Sequence, residues 1–172
     1  LFSPVELIKI AESKDGTKKF LFRFQDGNII ESVFIPAKNN RSTLCLSTQV
    51  GCKYSCVFCA SGLSGFKRNL LPWEILAQIL EIKKAIKGKS INHIVFMGMG
   101  EPLDNYDNVL KAVRIINSKE GLNIGARKIT ISSAGIIPGI ERLGCEKLQV
   151  ELSISLHAPW DEMRNRLMPV NK

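Results

Sequence analysis

No stretch of this sequence stays apolar for the roughly 18 residues that a membrane-spanning helix needs, so none of it reads as a span. No leader with a basic start and an apolar middle opens it, and its first residue is Leu1 rather than a methionine. Five cysteines is an odd count. Without a secretory signal, that argues against a disulfide framework, and a cytoplasmic location is the expectation. Histidine is scarce, with only His93 and His157. Acidic residues are in the minority, 16 against 24 Lys and Arg, for a net charge of +8. A basic surface favours polyanions, of which nucleic acid is the common case. Part of the excess has a plainer use: Lys83, Lys84, Lys87 and Lys89 end one predicted helix, where they suit its C-terminal dipole.

What is present fits an ordinary soluble domain. The chain has 172 residues, 45% hydrophobic and 23% charged, enough for one domain with a real core. The most informative feature is the stretch 51–59, in which Cys52, Cys56 and Cys59 sit on one short segment. Three thiolates so placed can hold three irons of a 4Fe-4S cluster and leave the fourth iron open to bind another ligand. The same cysteines could instead belong to a zinc site. Such a site usually takes four ligands, which would have to come from Cys45, Cys145, His93 or His157.

Residues 18–36 read as a β-hairpin. Phe20, Phe22 and Phe24 alternate, Asp26 and Gly27 make the turn, and Ile30, Ser32 and Phe34 return. After a polar link over 36–40, strands and helices alternate. Strands are predicted at 43–50, 93–97, 128–132 and 148–156. Helices are predicted at 72–86, 107–117, 138–143 and from 161 to 167. Short apolar strands separated by helices imply a parallel sheet of right-handed βα units. The fold class is therefore α/β, a partial (β/α) barrel of about four units preceded by a hairpin, since a full eightfold barrel needs about 250 residues. The division is residues 1–40 as the hairpin segment and 41–172 as the barrel part. Active sites of such folds lie at the C-terminal ends of the strands. The cysteine loop, the turn at 98–102, the turn at 133–135 and the turn at 155–157 all fall there.

Five motifs occur in order: 41–52 around Cys45, 65–70 (Gly65 to Leu70), 97–102 (Met97 to Pro102), 153–159 (Ser153 to Pro159) and 168–172 (Met168 to Lys172). Together they resemble the RlmN/Cfr family of radical S-adenosylmethionine (SAM) RNA methyltransferases, and the Gly100–Glu101–Pro102 turn resembles the RlmN branch. The resemblance implies methylation of C2 of adenine in 23S rRNA and tRNA, through a methyl-cysteine intermediate and a 5′-deoxyadenosyl radical. It implies a 4Fe-4S cluster on Cys52, Cys56 and Cys59 with SAM on the open iron. By the same resemblance Glu31 is the base that removes the adenine C2 proton. Cys45 is the cysteine that resolves the protein–RNA adduct by forming a disulfide, although a strand cysteine also serves as a small buried hydrophobe. Gly100, Glu101, Ser132, Ser155, Leu156 and His157 match SAM contacts, and Phe58 falls beside the SAM adenine. Lys67, Arg68, Arg127 and Lys128 are candidate phosphate contacts. The implied partners are the two RNA substrates and a flavodoxin-type electron donor, with a monomer when full length.

In the family the methyl-accepting cysteine and a later SAM-contacting asparagine lie beyond the point matching Lys172, and a helical accessory domain precedes the point matching Leu1. The chain is thus expected to be a fragment, inactive by itself. Two other readings stand beside this one. Another radical SAM enzyme, such as a glycyl-radical activase, would use the same three cysteines without needing Cys45. A zinc-stabilised RNA-binding module would use them without catalysis.

Overall fold

The alternating phenylalanines of 18–36 do form a hairpin. The computed structural model describes residues 5–37 and 41–171; of the polar link expected over 36–40, residues 38–40 lie outside the described part, as does Lys172. Strands β2 (Lys18–Phe24) and β3 (Ile29–Pro36) pair antiparallel, with Phe22 opposite Ile30. Phe20, Phe22, Ile30 and Phe34 are fully buried. A further strand, β1 (Val5–Glu12), pairs with β2 and was not expected. Its register shifts between Leu7 and Lys9. A bulge there breaks the period of two on which strand reading depends.

The chain then builds β4 (Ser42–Cys45), β5 (Gln49–Val50), β6 (Arg68–Asn69), α1 (Pro72–Ala85), β7 (His93–Phe96), α2 (Tyr106–Asn117), β8 (Ile129–Ser133), α3 (Ile137–Cys145), β9 (Glu151–Ile154) and α4 (Asp161–Leu167). Seven strands form one sheet in the order β1-β2-β3-β4-β7-β8-β9. The first three pairings are antiparallel and the last three parallel. The α/β class and the part-barrel of parallel βα units therefore hold, and the hairpin continues the same sheet through Val33 opposite Cys45.

Two strand predictions need correction. The strand expected over 43–50 ends at Cys45, and residues 49–50 join a separate two-stranded sheet with β6. The interruption has a cause: the buried Gln78 side chain takes both backbone groups of Ser47, accepting from its N–H at 3.0 Å and donating to its carbonyl at 3.0 Å. The strand expected over 148–156 shortens to Glu151–Ile154 at the sheet edge, where Leu152 and Ile154 stay exposed.

One face of the sheet buries Phe20, Phe22, Leu44, Ile94, Phe96 and Ile131 in a core shared with Ile75, Ile79 and Ile82 of α1 and Val109, Val113 and Ile116 of α2. Burying each such side chain contributes about 1.5–3 kcal/mol relative to exposure. The opposite face carries the half-buried row Val33, Cys45, Val95 and Thr130, which are register partners across four strands. That face is the interior side of the part-barrel.

Candidate active site

The cysteine loop, residues 51–67, is closed at its neck by β5 and β6, and Lys67 donates its N–H to the Val50 carbonyl at 2.9 Å. Gly51 sits at φ +72°, and a Cβ there would lie 1.7 Å from the Gly65 carbonyl oxygen, so only glycine lets the two sides of the neck meet. Within the loop Ser55 has a left-handed backbone, φ +42°. The Cys59 N–H donates to the Cys56 carbonyl at 2.9 Å, and the Val57 N–H donates to the Leu167 carbonyl at 3.1 Å. The last bond ties the loop to the end of α4.

Cys52, Cys56 and Cys59 line one cavity of about 220 Å³ together with Phe58, Gly100, Glu101, Ser132 and Ser155. The cavity stands at the C-terminal ends of β7, β8 and β9, as the fold requires of a site. Eight of the residues singled out in the sequence, from four separate turns, thus meet in one place.

Glu101 is the most buried acid there, 4% exposed. One carboxylate oxygen accepts the Leu103 N–H at 3.0 Å and the other the Ala134 N–H at 2.7 Å. Burial pushes its pKa above the usual carboxylate range, opposed by these two hydrogen bonds and one from Ser133. Its backbone N–H donates to Gln49 Oε1 at 2.8 Å. Gly100 stands at φ +96°, with the Gln49 side chain where its Cβ would be.

Leu156 and His157 are not among the residues that line the cavity. His157 has φ +57° and its ring packs on Phe58 with centroids 4.1 Å apart, so the turn at 155–157 closes against the cysteine loop. Leu156 is exposed, and its carbonyl accepts from Arg164 Nε at 3.2 Å. The same guanidinium donates to the Ala134 carbonyl at 2.7 Å and to the Ser155 carbonyl at 3.5 Å. Arg164 therefore gathers the ends of β8 and β9 at the rim of the cavity.

Glu31 and Cys45 lie outside the cavity lining but on the interior face, Cys45 directly opposite Val33 and Glu31 two residues from Val33 along β3. Glu31 is half-exposed and pairs with Lys19 Nζ at 3.1 Å. Burial raises the Cys45 thiol pKa, and a backbone hydrogen bond with Met97 opposes the rise.

The donor set suits a cluster better than a single ion. Among the described residues no group of three His, Cys, Asp or Glu side chains converges to hold one metal ion. A 4Fe-4S cluster asks something different, since each thiolate binds its own iron. Burial raises the pKa of Cys52 and Cys56, and the charge of Cys59 adds to the rise at both. Thiols held neutral by burial and by one another ionise when a cationic metal group takes their charge. Cys145 is exposed, at the end of α3, and takes no part.

Sequence reasoning assigned no role to several residues the site uses. Tyr54 lines the cavity and donates its hydroxyl to Asp104 Oδ1 at 2.9 Å, and Lys53 Nζ lies 2.7 Å from the other Asp104 oxygen. Met97 and Met168 fell inside motifs, yet only the fold shows that both line the cavity. Of the expected phosphate contacts, Arg68 is already engaged: it binds both Glu74 oxygens at 2.8 Å and Asp26 at 2.6 Å. Arg127 and Lys128 precede β8 and so lie at the opposite end of the sheet from the cavity. Lys67 lies on the loop side, beside the hairpin turn at Gly27 and Asn28, with no ion pair among the described residues.

Comparison with known proteins agrees with this geometry. The Radical SAM superfamily matches residues 46–172. The probable dual-specificity RNA methyltransferase RlmN of Akkermansia muciniphila is 52% identical over 178 residues, covering 99% of this chain and 49% of that protein. The corresponding protein of Clostridium acetobutylicum is 55% identical over 165 residues, covering 95% and 47%. The crystal structure of a radical SAM methyltransferase from Sphaerobacter thermophilus superposes with a TM-score of 0.93 at 44% identity, over 98% of this chain and 50% of that one. The chain spans about half the length of the curated relatives it matches.

Proposed function

Because the chain belongs to the radical SAM superfamily, we propose that it is the cofactor-binding half of an RlmN-type methyltransferase acting on C2 of adenine in 23S rRNA and tRNA. The observation that carries this reading is the meeting of Cys52, Cys56 and Cys59 with Gly100, Glu101, Ser132 and Ser155 around one cavity. Relatives at about half identity that are named dual-specificity RNA methyltransferases support the substrate class. The division proposed is residues 1–40 as the hairpin segment and 41–172 as the amino-terminal part of the barrel, with 1–4, 38–40 and 172 outside the described residues.

Cys52, Cys56 and Cys59 would hold a 4Fe-4S cluster, which with SAM supplies one-electron cleavage to a hydrogen-abstracting 5′-deoxyadenosyl radical. The chain's own groups do the rest of the work. The turn at Gly100 and Glu101 takes the methionine end of SAM, and the left-handed glycine lets that turn close on the Gln49 side chain. Ser132 and Ser155 offer hydroxyls that donate or accept. Leu156 and His157 complete the SAM contacts at the mouth of the site, where the His157 ring packs on Phe58. Glu31 accepts the adenine C2 proton, and its half-exposed carboxylate on the interior face is within reach of solvent for releasing that proton. Cys45 resolves the protein–RNA adduct by pairing with the methyl-carrying cysteine of the remaining chain. The target adenine must leave its stack to reach such a site. A flavodoxin-type donor supplies the electron, and the full-length enzyme works as a cytoplasmic monomer.

The test is anaerobic iron and sulfide reconstitution of the full-length protein, followed by EPR of the reduced state with and without SAM. A 4Fe-4S signal that changes on adding SAM is the expected result. Bound zinc without a cluster would overturn the reading.

A further inference from the structure

Between the strand that carries Glu31 and the turn that carries Gly100, backbone pairing stops. The β3–β4 ladder ends at Val33 and Cys45. Two residues further on, Glu31 and Ser47 face each other without a ladder bond. A side chain fills the gap: the Ser47 hydroxyl donates to the Glu31 carbonyl at 2.5 Å and accepts the Met99 N–H at 2.9 Å. One oxygen that both donates and accepts can join a carbonyl to an amide, and only a hydroxyl offers that in so small a volume.

The hydroxyl is held in place from behind. Ser47 and Gln78 are both fully buried. Gln78 Oε1 accepts the Ser47 N–H and Gln78 Nε2 donates to the Ser47 carbonyl, each at 3.0 Å. Ser32 donates its hydroxyl to the same Gln78 Oε1 at 2.6 Å. Gln78 thus imitates a neighbouring strand, and Ser47 Oγ is turned toward Glu31 and Met99. The space is closed: a Cβ on Gly98 would stand 2.7 Å from Ser47 Oγ. The Met99 carbonyl in turn accepts the N–H groups of Thr48 and Gln49 at 2.9 and 3.2 Å.

We infer that the Gln78–Ser47 pair is a positioning device that sets the spacing between the Glu31 strand and the cofactor turn at residues 97–101. It rests on the proposed function for the roles of Glu31 and of that turn. Neither Ser47 nor Gln78 touches the cavity; both act through the segments they join. A group that only stabilised the fold would affect the core generally, whereas this device acts at the Met99 amide.

Amide hydrogen exchange on the metal-free full-length protein reads the bridge directly. Ser47→Ala removes the acceptor for the Met99 N–H, so exchange in the peptide covering 97–100 should speed up at least tenfold. Ser32→Ala removes a hydrogen bond from the same buried group without touching Met99, and should leave that peptide at its wild-type rate. Gln78→Glu keeps the acceptor for the Ser47 N–H and loses the donor to its carbonyl. It should give an intermediate rate and serves if Ser47→Ala does not fold. In reconstituted protein, Ser47→Ala should raise by about tenfold the SAM concentration needed for half of the EPR change, at unchanged iron content. Unchanged exchange at 97–100 in both variants, or equal acceleration in Ser32→Ala, would overturn the bridge. Wild-type protein with no SAM-dependent signal would instead overturn the proposed function and the positioning role with it, and the exchange data tell the two failures apart.

Discussion

Glu101 is a carboxylate whose two oxygens both face N–H donors, and that makes its replacement informative. In Glu101→Gln one of these oxygens becomes an NH2 that points at a donor. A buried donor left without a partner costs about 1–3 kcal/mol. The expected outcome is a lower thermal midpoint, with iron retained and the SAM-dependent EPR change lost. Cys45→Ala tests the other end of the proposed reaction: if Cys45 is the resolving thiol, full-length protein lacking it should accumulate a covalent RNA adduct visible on a denaturing gel. Normal turnover would remove Cys45 from the mechanism. At this scale the sequence was informative wherever a residue's chemistry announces itself. The three loop cysteines were legible because their type and spacing are chemically restrictive, and Gly100 and Glu101 through the family motif that they resemble. Arg164 and Ser47 were not, because an arginine on a helix and a serine in a strand have ordinary local uses. Their importance comes from which carbonyls and amides stand beside them after folding.

Among the elements, the neck of the cysteine loop is the most exacting. Gly51→Ala would place a methyl group 1.7 Å from the Gly65 carbonyl oxygen. It would also leave an L-residue in the left-handed region, at a cost of roughly 1–2 kcal/mol before the clash. The neck should open, so iron incorporation should collapse while the far-ultraviolet circular dichroism of the α/β body persists. Arg68 anchors the same neck, joining the hairpin turn at Asp26 to Glu74 in the first turn of α1. For Asp26, burial pushes the carboxyl up but is outweighed by hydrogen bonds from Arg68 and Asn28, which bring it down to about 2. A folded-state pKa below the unfolded value means that Asp26 stabilises the protein above about pH 3.8, and that this contribution fades as pH falls toward 2. Acid titration of stability should therefore show a component in that range that is absent from Asp26→Asn. The helices α1, α2 and α3 and the hairpin were readable from periodicity, since one side of each meets a core. Strand β1 and the break after Cys45 were not. A bulge displaces the period in the first, and in the second a glutamine from a helix over 30 residues away in sequence takes over the strand's hydrogen bonds.

For the whole molecule the net charge of +8 is not spread where the sequence suggested. Arg68 is neutralised internally, and Arg127 and Lys128 lie at the end of the sheet away from the cavity. Lys53 and Lys67 remain on the cysteine-loop side. Binding of RNA by the full-length protein should weaken steeply with salt. Lys67→Ala should lower the salt dependence measurably, whereas Arg127→Ala should leave it nearly unchanged. The sequence by itself determined the α/β class, the order of the βα units and the placing of four turns, one of them with three closely spaced cysteines, at the C-terminal ends of the strands. These follow from hydrophobic period and from side-chain chemistry, which are local properties of the chain. Only the tertiary structure decided which residues of those turns line one cavity, that the hairpin extends the same sheet, and that Gln78 and Ser47 bridge the gap between Glu31 and the turn at 98–102. Those relations are set by which strands become neighbours and by which backbone groups are left without a ladder partner, and neither is written in the spacing of any one segment.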